Sequence, residues 1–426
     1  MGLSAAESIV VSAVRARAGS MLGDLSRWVA VPTGTGYEAG LGELRGMVTE
    51  RLARLGARVR MEAGDERPGW LLSEREAGGS PPVTAVCEGP AAVAGSARVM
   101  LCGHLDTVHD PAGSFRALEV SGDGVRARGP GAADMKGGLL VAVAALEALA
   151  ESGAMGGLGW TFVLNSDEET GSYASARVIR EEASRHGVGL VFEPALPDGS
   201  LVVERPGSGQ FMIEAEGREA HVGRDFSSGV SAVVALSARV VEVSRWADAS
   251  RGRIVNVGVV RGGTATNVVP GSARAWGNVR FTSAEAEREL AGAIDGLATT
   301  GEGLPRVRVS RSFARSAKPA TAGVMRLAGL ARAAAEDLGQ RLPFGKTGGV
   351  CDGNTMQSAG IPVIDTLGVR GGGLHTGEEW VEVSSLWERA ALTAVLLMRL
   401  AGGAMEGAGG GGGEGGGVGG VGGVGG

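Results

Sequence analysis

Cysteine is scarce in this chain of 426 residues, where only Cys87, Cys102 and Cys351 occur. An odd, scattered set builds no disulfide framework, so reduced thiols in a cytoplasmic protein are expected, with Cys102 packed as a small apolar residue on a strand. Long uncharged apolar runs are missing too. The best, GGLLVAVAALEALA from Gly137, is short and carries Glu147, which fits a buried helix and excludes a membrane span. The first residues, MGLSAAESIVVSAVRARAG, lack the basic lead, apolar stretch and cleavage site of a secretion signal and read as an amphipathic helix. Lysine and arginine form no basic stripe and the formal net charge is −6, so nucleic acid is not an expected partner. There is no G-x-S-x-G elbow, and FGKTGG lacks the correctly spaced glycine and the preceding strand of a phosphate loop. Serine-hydrolase and nucleotide-binding readings therefore have no support.

What is present is a set of metal-acceptable side chains in five separate segments. They are His104 in GHLDTVHD, Asp134 in GPGAADMKGG, Glu168 and Glu169 in SDEETGS, Glu193 in VFEPA, and His375 in GGGLHTGEE. A zinc finger collects its ligands within a couple of turns, whereas a catalytic centre gathers them from the strand ends of a large fold. Charge favours two cations over one. Asp134, Glu169 and Glu193 with two neutral imidazoles sum to minus three against plus four, and one hydroxide closes the balance and supplies a nucleophile. Asp134, short and set between a GPG turn and a KGG helix start, is the expected bridge. Glu168 is left over. Beside a ligand but pointing the other way if the segment is extended, it suits a general base.

Apolar β-rich runs alternate with helical ones, and the candidate ligands fall where strands stop: ARVMLCGHLDTV at His104, TFVLNSDEE at the glutamates, LVFEP at Glu193. Ligands bind at such strand ends in open α/β sheets. The length exceeds what one core holds, and 43% apolar content is ample for two domains. The stretch without ligands, from about 207 to 315, carries its own strands and helices. The expected organisation is a first catalytic part over 1–206, an inserted smaller α+β unit over 207–315, a second catalytic part over 316–401, and a disordered glycine-rich tail over 402–426.

At these residues the chain resembles the M20 metallopeptidases, and most of all their glutamate carboxypeptidase-like branch. The runs GHLDTV, GPGAADMKGG, DEETGS, FEP, GREAHVG, GGTATNVVPGSA, TGGVCDG and LHTGEEWV occur in the family's order, and several motifs in register are far more specific than one. The resemblance implies an α/β zinc-exopeptidase-type fold, a central mixed sheet flanked by helices, with an inserted lid or dimerisation domain. It implies two zinc ions, with cobalt or manganese as substitutes, one held by His104, Asp134 and Glu193 and the other by Asp134, Glu169 and His375. It implies Glu168 as the catalytic carboxylate, a cis peptide after Asp134, and Asp106 as the acid that orients His104. That last assignment also fits residues two apart on one strand face. From the lid it implies substrate contacts by His221, Asn267 and Arg280, with His221 on the scissile carbonyl and Arg280 on a carboxylate. The activity implied is cleavage of a peptide or N-acyl bond next to a free carboxylate, in a homodimer joined through the lid; the alternatives are an N-acyl-amino-acid deacylase and a scaffold without catalysis.

The chain departs from that branch at Lys318-Pro319, where a further arginine is usual, with Arg315 nearby, and at Cys351, where Thr or Ser is usual before the aspartate. His109 matches no ligand spacing and reads as a structural or surface residue. His186, at a helix end, reads as a cap favoured by the helix dipole.

Overall fold

A computed structural model of the protein describes residues 2–72, 80–90 and 98–405. The tail expected to be disordered lies outside the described residues from 406 onward; ahead of it, Gly402 and Gly403 close the last helix by donating to the carbonyls of Met398 and Leu400.

A six-stranded mixed sheet forms the centre, in the order Arg58–Glu62, Thr84–Glu88, Gly159–Asn165, Arg98–His104, Val188–Val191, Val363–Ile364. The first two strands run antiparallel to their neighbours and the remaining four are mutually parallel. Strand alternation divides the apolar residues between two layers. Val99 and Leu101 join the large core under helices Ala5–Ala30, Gly138–Glu151 and Val383–Ala401, while Met100 and Cys102 join the second core with Val178, Ile179 and Met356. Cover on both faces explains why the five strands from Thr84–Glu88 to Val363–Ile364 are buried almost throughout, while the edge strand Arg58–Glu62 is not.

The helices form where caps and periodicity agree. Ala5–Ala30 starts at a capping box in which Ser4 Oγ accepts from Glu7 N–H and Glu7 Oε2 accepts from Ser4 N–H. Its buried Val10, Val14, Met21, Leu25 and Trp28 keep helical spacing. Gly138–Glu151 is buried along most of its length, as its nearly uncharged sequence demands. Among the described residues no helix is long and apolar enough to cross a membrane, and the three cysteines are buried and free.

A second sheet, four-stranded and antiparallel, follows the order Arg253–Gly262, Ser272–Phe281, Gly207–Glu216, Arg306–Arg315. Helices Ala232–Ser244 and Ala284–Asp295 cover one of its faces, and Phe211, Ile213, Val279, Phe281 and Leu290 fill a core separate from the other two. The strand Arg306–Arg315 has no counterpart in the sequence reading, where its alternation is obscured by arginines and by an irregularity between Ser312 and Arg315.

Candidate active site

Three neighbouring parallel strands end at the same edge of the main sheet. His104 closes its strand, Glu168 and Glu169 follow Gly159–Asn165, and Glu193 follows Val188–Val191. Asp134 comes from a distorted turn over Ala132–Gly137, and the Asp134–Met135 peptide is cis. Close backbone approach fixes this turn: a Cβ on Gly138 would lie 2.0 Å from the Phe192 carbonyl oxygen, so the helix start presses directly on the segment that carries Glu193. His375 lies on the loop after Gly371–Gly372, with φ of 62°, a left-handed value that a histidine rarely takes and that clusters at functional sites.

The five candidate ligands come together. Asp134 Oδ1 is 3.1 Å from His104 Nε2, and Asp134 Oδ2 is 3.3 Å from His375 Nε2. On the far sides, Glu193 Oε1 is 3.9 Å from His104 Nε2 and Glu169 Oε2 is 3.3 Å from His375 Nε2. Among the described residues, His104, Asp134 and Glu169 offer ligand atoms within 4.8 Å of one another, close enough to hold a metal ion. Glu193 Oε1 is buried with no hydrogen-bond partner, an arrangement that a cation resolves and a protein core does not. The donor set therefore fits a divalent metal, and Asp134 lies between the two imidazoles.

The electrostatics agree. Burial works against charge on His104, but its bonds to Asp106 and Asp134 prevail and hold its pKa well above the ordinary value. Hydrogen bonds donated to the carboxylates of Asp134 and Glu169 take His375 up to about 10. Burial, reinforced by the charge of Asp134, raises Glu193 well above the carboxylate range. Asp134 is also buried, yet the two imidazoles hold it below that range. Without cations, protons substitute for them in this cluster.

Glu168 stands apart. The segment Glu168–Thr170 is a 3₁₀ turn rather than extended strand, so turn geometry and not strand alternation separates it from Glu169. Burial pushes Glu168 up to about 7, opposed by Arg315, whose Nη2 is 2.8 Å from Glu168 Oε1. A carboxylate poised there can exchange protons near neutral pH.

Asp106 lies beyond the end of the strand, so it does not share a strand face with His104 as expected. His104 Nδ1–H donates to the Asp106 carbonyl oxygen at 2.9 Å, with Oδ1 farther away at 3.5 Å, which leaves Nε2 free to bind metal. The Asp106 carboxylate is fully buried and accepts from the N–H groups of Glu168 and Glu169, both at 3.2 Å, and from Thr35 Oγ1. One residue thus orients the imidazole and pins the glutamate turn.

The sequence model of peptidase family M20/M25/M40 matches residues 100–399. The chain belongs to this family. It is 31% identical over 315 residues to carboxypeptidase G2 of Pseudomonas sp. (strain RS-16), covering 72% of this chain and 75% of that one. It is 29% identical over 324 residues to a succinyl-diaminopimelate desuccinylase of Methylobacterium sp. (strain 4-46), covering 69% and 78%. The fold is that of aminopeptidase PepT from Bacillus cereus ATCC 10987, with a TM-score of 0.68, 22% identity and coverage of 90% of this chain and 99% of that one.

Of the residues that the M20 resemblance assigns to substrate, His221 ends the short strand Ala220–His221 and Asn267 lies on the turn before its partner strand Val268–Val269, both exposed on the smaller unit. The polar contacts of His221 are with its own loop: its N–H donates to Asp225 and its Nδ1 accepts from Gly223 N–H. Neither residue touches the ligand cluster. Arg280 is half-buried, and its Nη1 is buried with no partner among the described residues. Lys318 is fully buried, with Nζ 3.2 Å from Asp365 Oδ2, so the residue aligned with the usual arginine is committed to the core. Cys351 is also buried, its Sγ accepting from Gly353 N–H at the start of helix Asp352–Ser358.

Several residues escaped the sequence reading. Glu379 Oε1 accepts from the N–H groups of Ala133 and Asp134, and its Oε2 accepts from Gly131 N–H and lies 2.6 Å from His109 Nε2. His109 is therefore structural. Asp352 accepts from Ser172 and Asn165 beside Arg315. His186 does bond the Glu182 carbonyl at the helix end, but its Nε2 faces Thr161 and burial lowers its pKa, so it caps as a neutral ring and not as a dipole-stabilised cation.

Proposed function

We propose that this chain is a two-zinc hydrolase that cleaves a peptide bond at a C-terminal residue, or an amide bond next to a free carboxylate. The observation that carries this reading is the placement of the Asp134 oxygens, one on each imidazole, with Glu193 and Glu169 outside them. His104, Asp134 and Glu193 would hold one ion and Asp134, Glu169 and His375 the other, with cobalt or manganese as substitutes. When bound, such a pair polarises a carbonyl and makes water nucleophilic at neutral pH.

The protein groups divide the remaining work. Glu168, raised towards neutrality by burial, takes a proton from the attacking water and delivers it to the leaving nitrogen. Asp106 and Arg315 fix the glutamate turn, so this carboxylate is held in place before substrate arrives. Arg280, whose buried Nη1 has no partner among the described residues, receives the substrate carboxylate through paired hydrogen bonds. His221 and Asn267 contact the scissile region once the smaller unit, acting as a lid, comes over it. The separate cores support a division into a catalytic part with this lid inserted over 207–315.

Pairing through the lid is part of the same proposal. The edge strand Arg253–Gly262 exposes Ile254 and Val260, and the helix beside it exposes Val234 and Val241. An apolar edge of this kind favours a second copy. The buried free thiols favour a cytoplasmic enzyme. The similarity to a desuccinylase supports a second reading, deacylation of an N-acyl amino acid by the same groups. Metal analysis together with hydrolysis of dipeptides and N-acyl amino acids tests both. Two equivalents of zinc and cleavage of one class are expected; fully loaded protein inert on the whole panel would sink the proposal.

A further inference from the structure

The face of the four-stranded sheet opposite its helices carries an ordered set of polar side chains. On Ser272–Phe281, Ala275, Val279 and Phe281 enter the apolar core, so Asn278 and Arg280 stand on the other face. On Gly207–Glu216, Phe211 and Ile213 enter the core, so Ser208 and Gln210 stand opposite. Register aligns them into two rows. Arg280 pairs with Ser208 and Ser208 with Arg315; Asn278 pairs with Gln210 and Gln210 with Ser312.

Both rows face the main domain. Arg315 reaches Glu168 and the Ser172 hydroxyl, the phenol of Tyr173 hydrogen-bonds Ser312 and Gln210, and Trp276 Nε1 donates to the Trp70 carbonyl. The first row thus begins at Glu168 and ends at the Arg280 guanidinium, whose Nη1 has no partner among the described residues. The second lies two residues along the strands, roughly 7 Å away. That is the scale of the reach from an α-carboxylate to the end of a glutamine-length side chain. The Asn278 side chain is half-buried on the same face.

We propose that the Asn278, Gln210 and Ser312 row is the subsite for the side chain of the residue whose free carboxylate binds Arg280, and that it selects an uncharged hydrogen-bonding side chain. This inference rests on the hydrolase reading above. The Tyr173 phenol engages Ser312 and Gln210, and the capacity left on the two amides and the hydroxyl is of donors and acceptors together. A carboxamide can satisfy both kinds, a carboxylate only the donors, and an aliphatic chain neither. Among the described residues beside these rows, Arg315 is engaged by Glu168, Lys318 by Asp365, and Arg67 lies over the Tyr173 ring and donates to the Leu72 carbonyl.

The test uses the full-length, zinc-loaded enzyme with Ala-X dipeptides and N-acetyl-X, where X is Gln, Glu or Met. A site built to hydrogen-bond a substrate discriminates strongly against analogues that cannot, so kcat/KM for Gln should exceed that for Met by about ten-fold or more, with Glu below Gln. Asn278→Leu should erase most of the Gln to Met preference and weaken inhibition by free glutamine. Gln210→Leu should do the same and serves if the first variant fails to fold. A preference for Met or Glu in the natural enzyme, or ratios unmoved by either variant, overturns the subsite while leaving the hydrolase reading intact. Loaded enzyme inert on every substrate overturns that reading and this inference with it.

Discussion

Glu379 Oε1 receives the backbone N–H of Asp134 at 2.9 Å, although 245 residues separate the two in sequence. The same carboxylate holds Ala133 and Gly131, so the turn that presents the central ligand is shaped by a single buried acid from the far end of the chain. Partners of this kind orient metal ligands and tune affinity without touching the ion.

Glu379→Ala should therefore lower zinc affinity by roughly 10- to 100-fold while leaving the fold intact. Equilibrium dialysis against a zinc buffer measures this. Unchanged affinity would show that the turn holds its shape unaided.

Glu168→Gln keeps the size and the Arg315 contact but removes the proton acceptor. Metal content should stay at the natural level while kcat falls by about 10² to 10⁴-fold. In the natural protein, activity should decline on the acid side as Glu168 takes up a proton. Its pKa of about 7 belongs to the cation-free cluster, and bound cations favour the carboxylate, so the limb should lie below that value. Near-normal turnover in the Gln variant would remove Glu168 from the mechanism.

The residues that the structure brings together, His104, Asp134, Glu169, Glu193 and His375, were legible as candidate ligands because metal chemistry admits few residue types and each sits in a short, recognisable run. The alternation of strands and helices was legible for the same local reason. The residues that hold the ligands were not. Glu379, Asp352 and Arg315 act through backbone amides or pairings across more than a hundred residues, and no local pattern announces such contacts. Lys318 shows the converse, since an exposed substrate-facing lysine and a buried one read alike until Asp365 is found beside it.

That pair has its own consequence. Asp365 is fully buried and, despite burial, Arg205 and Lys318 hold its pKa below the ordinary value. A carboxyl lowered by folding adds stability that is complete above its unfolded pKa and is lost as pH falls through the folded one. Asp365→Asn strands two buried cations and should cost about 3 to 5 kcal/mol in chemical denaturation. Lys318→Met should cost less, because Arg205 still pairs with Asp365, and should leave KM unchanged. A raised KM in Lys318→Met would return that lysine to the substrate site.

Removal of metal should reveal the protons that take its place. In the cation-free protein His375 holds its proton up to about pH 10, against an ordinary value of 6.5. A base raised in this way stabilises the folded state fully below its unfolded pKa, and the benefit fades as pH climbs through the folded one. Chelated protein should thus lose this contribution between about pH 6.5 and 10, a modest one because half of the His375 side chain faces solvent. Zinc requires the neutral ring, so binding at pH 8 must expel the proton from His375, and that from His104 as well. Calorimetric titration of zinc into chelated protein, repeated in buffers of different ionisation enthalpy, counts these protons directly. Release of none would mean that the imidazoles are already neutral and that the carboxylates around Asp134 do not hold them charged.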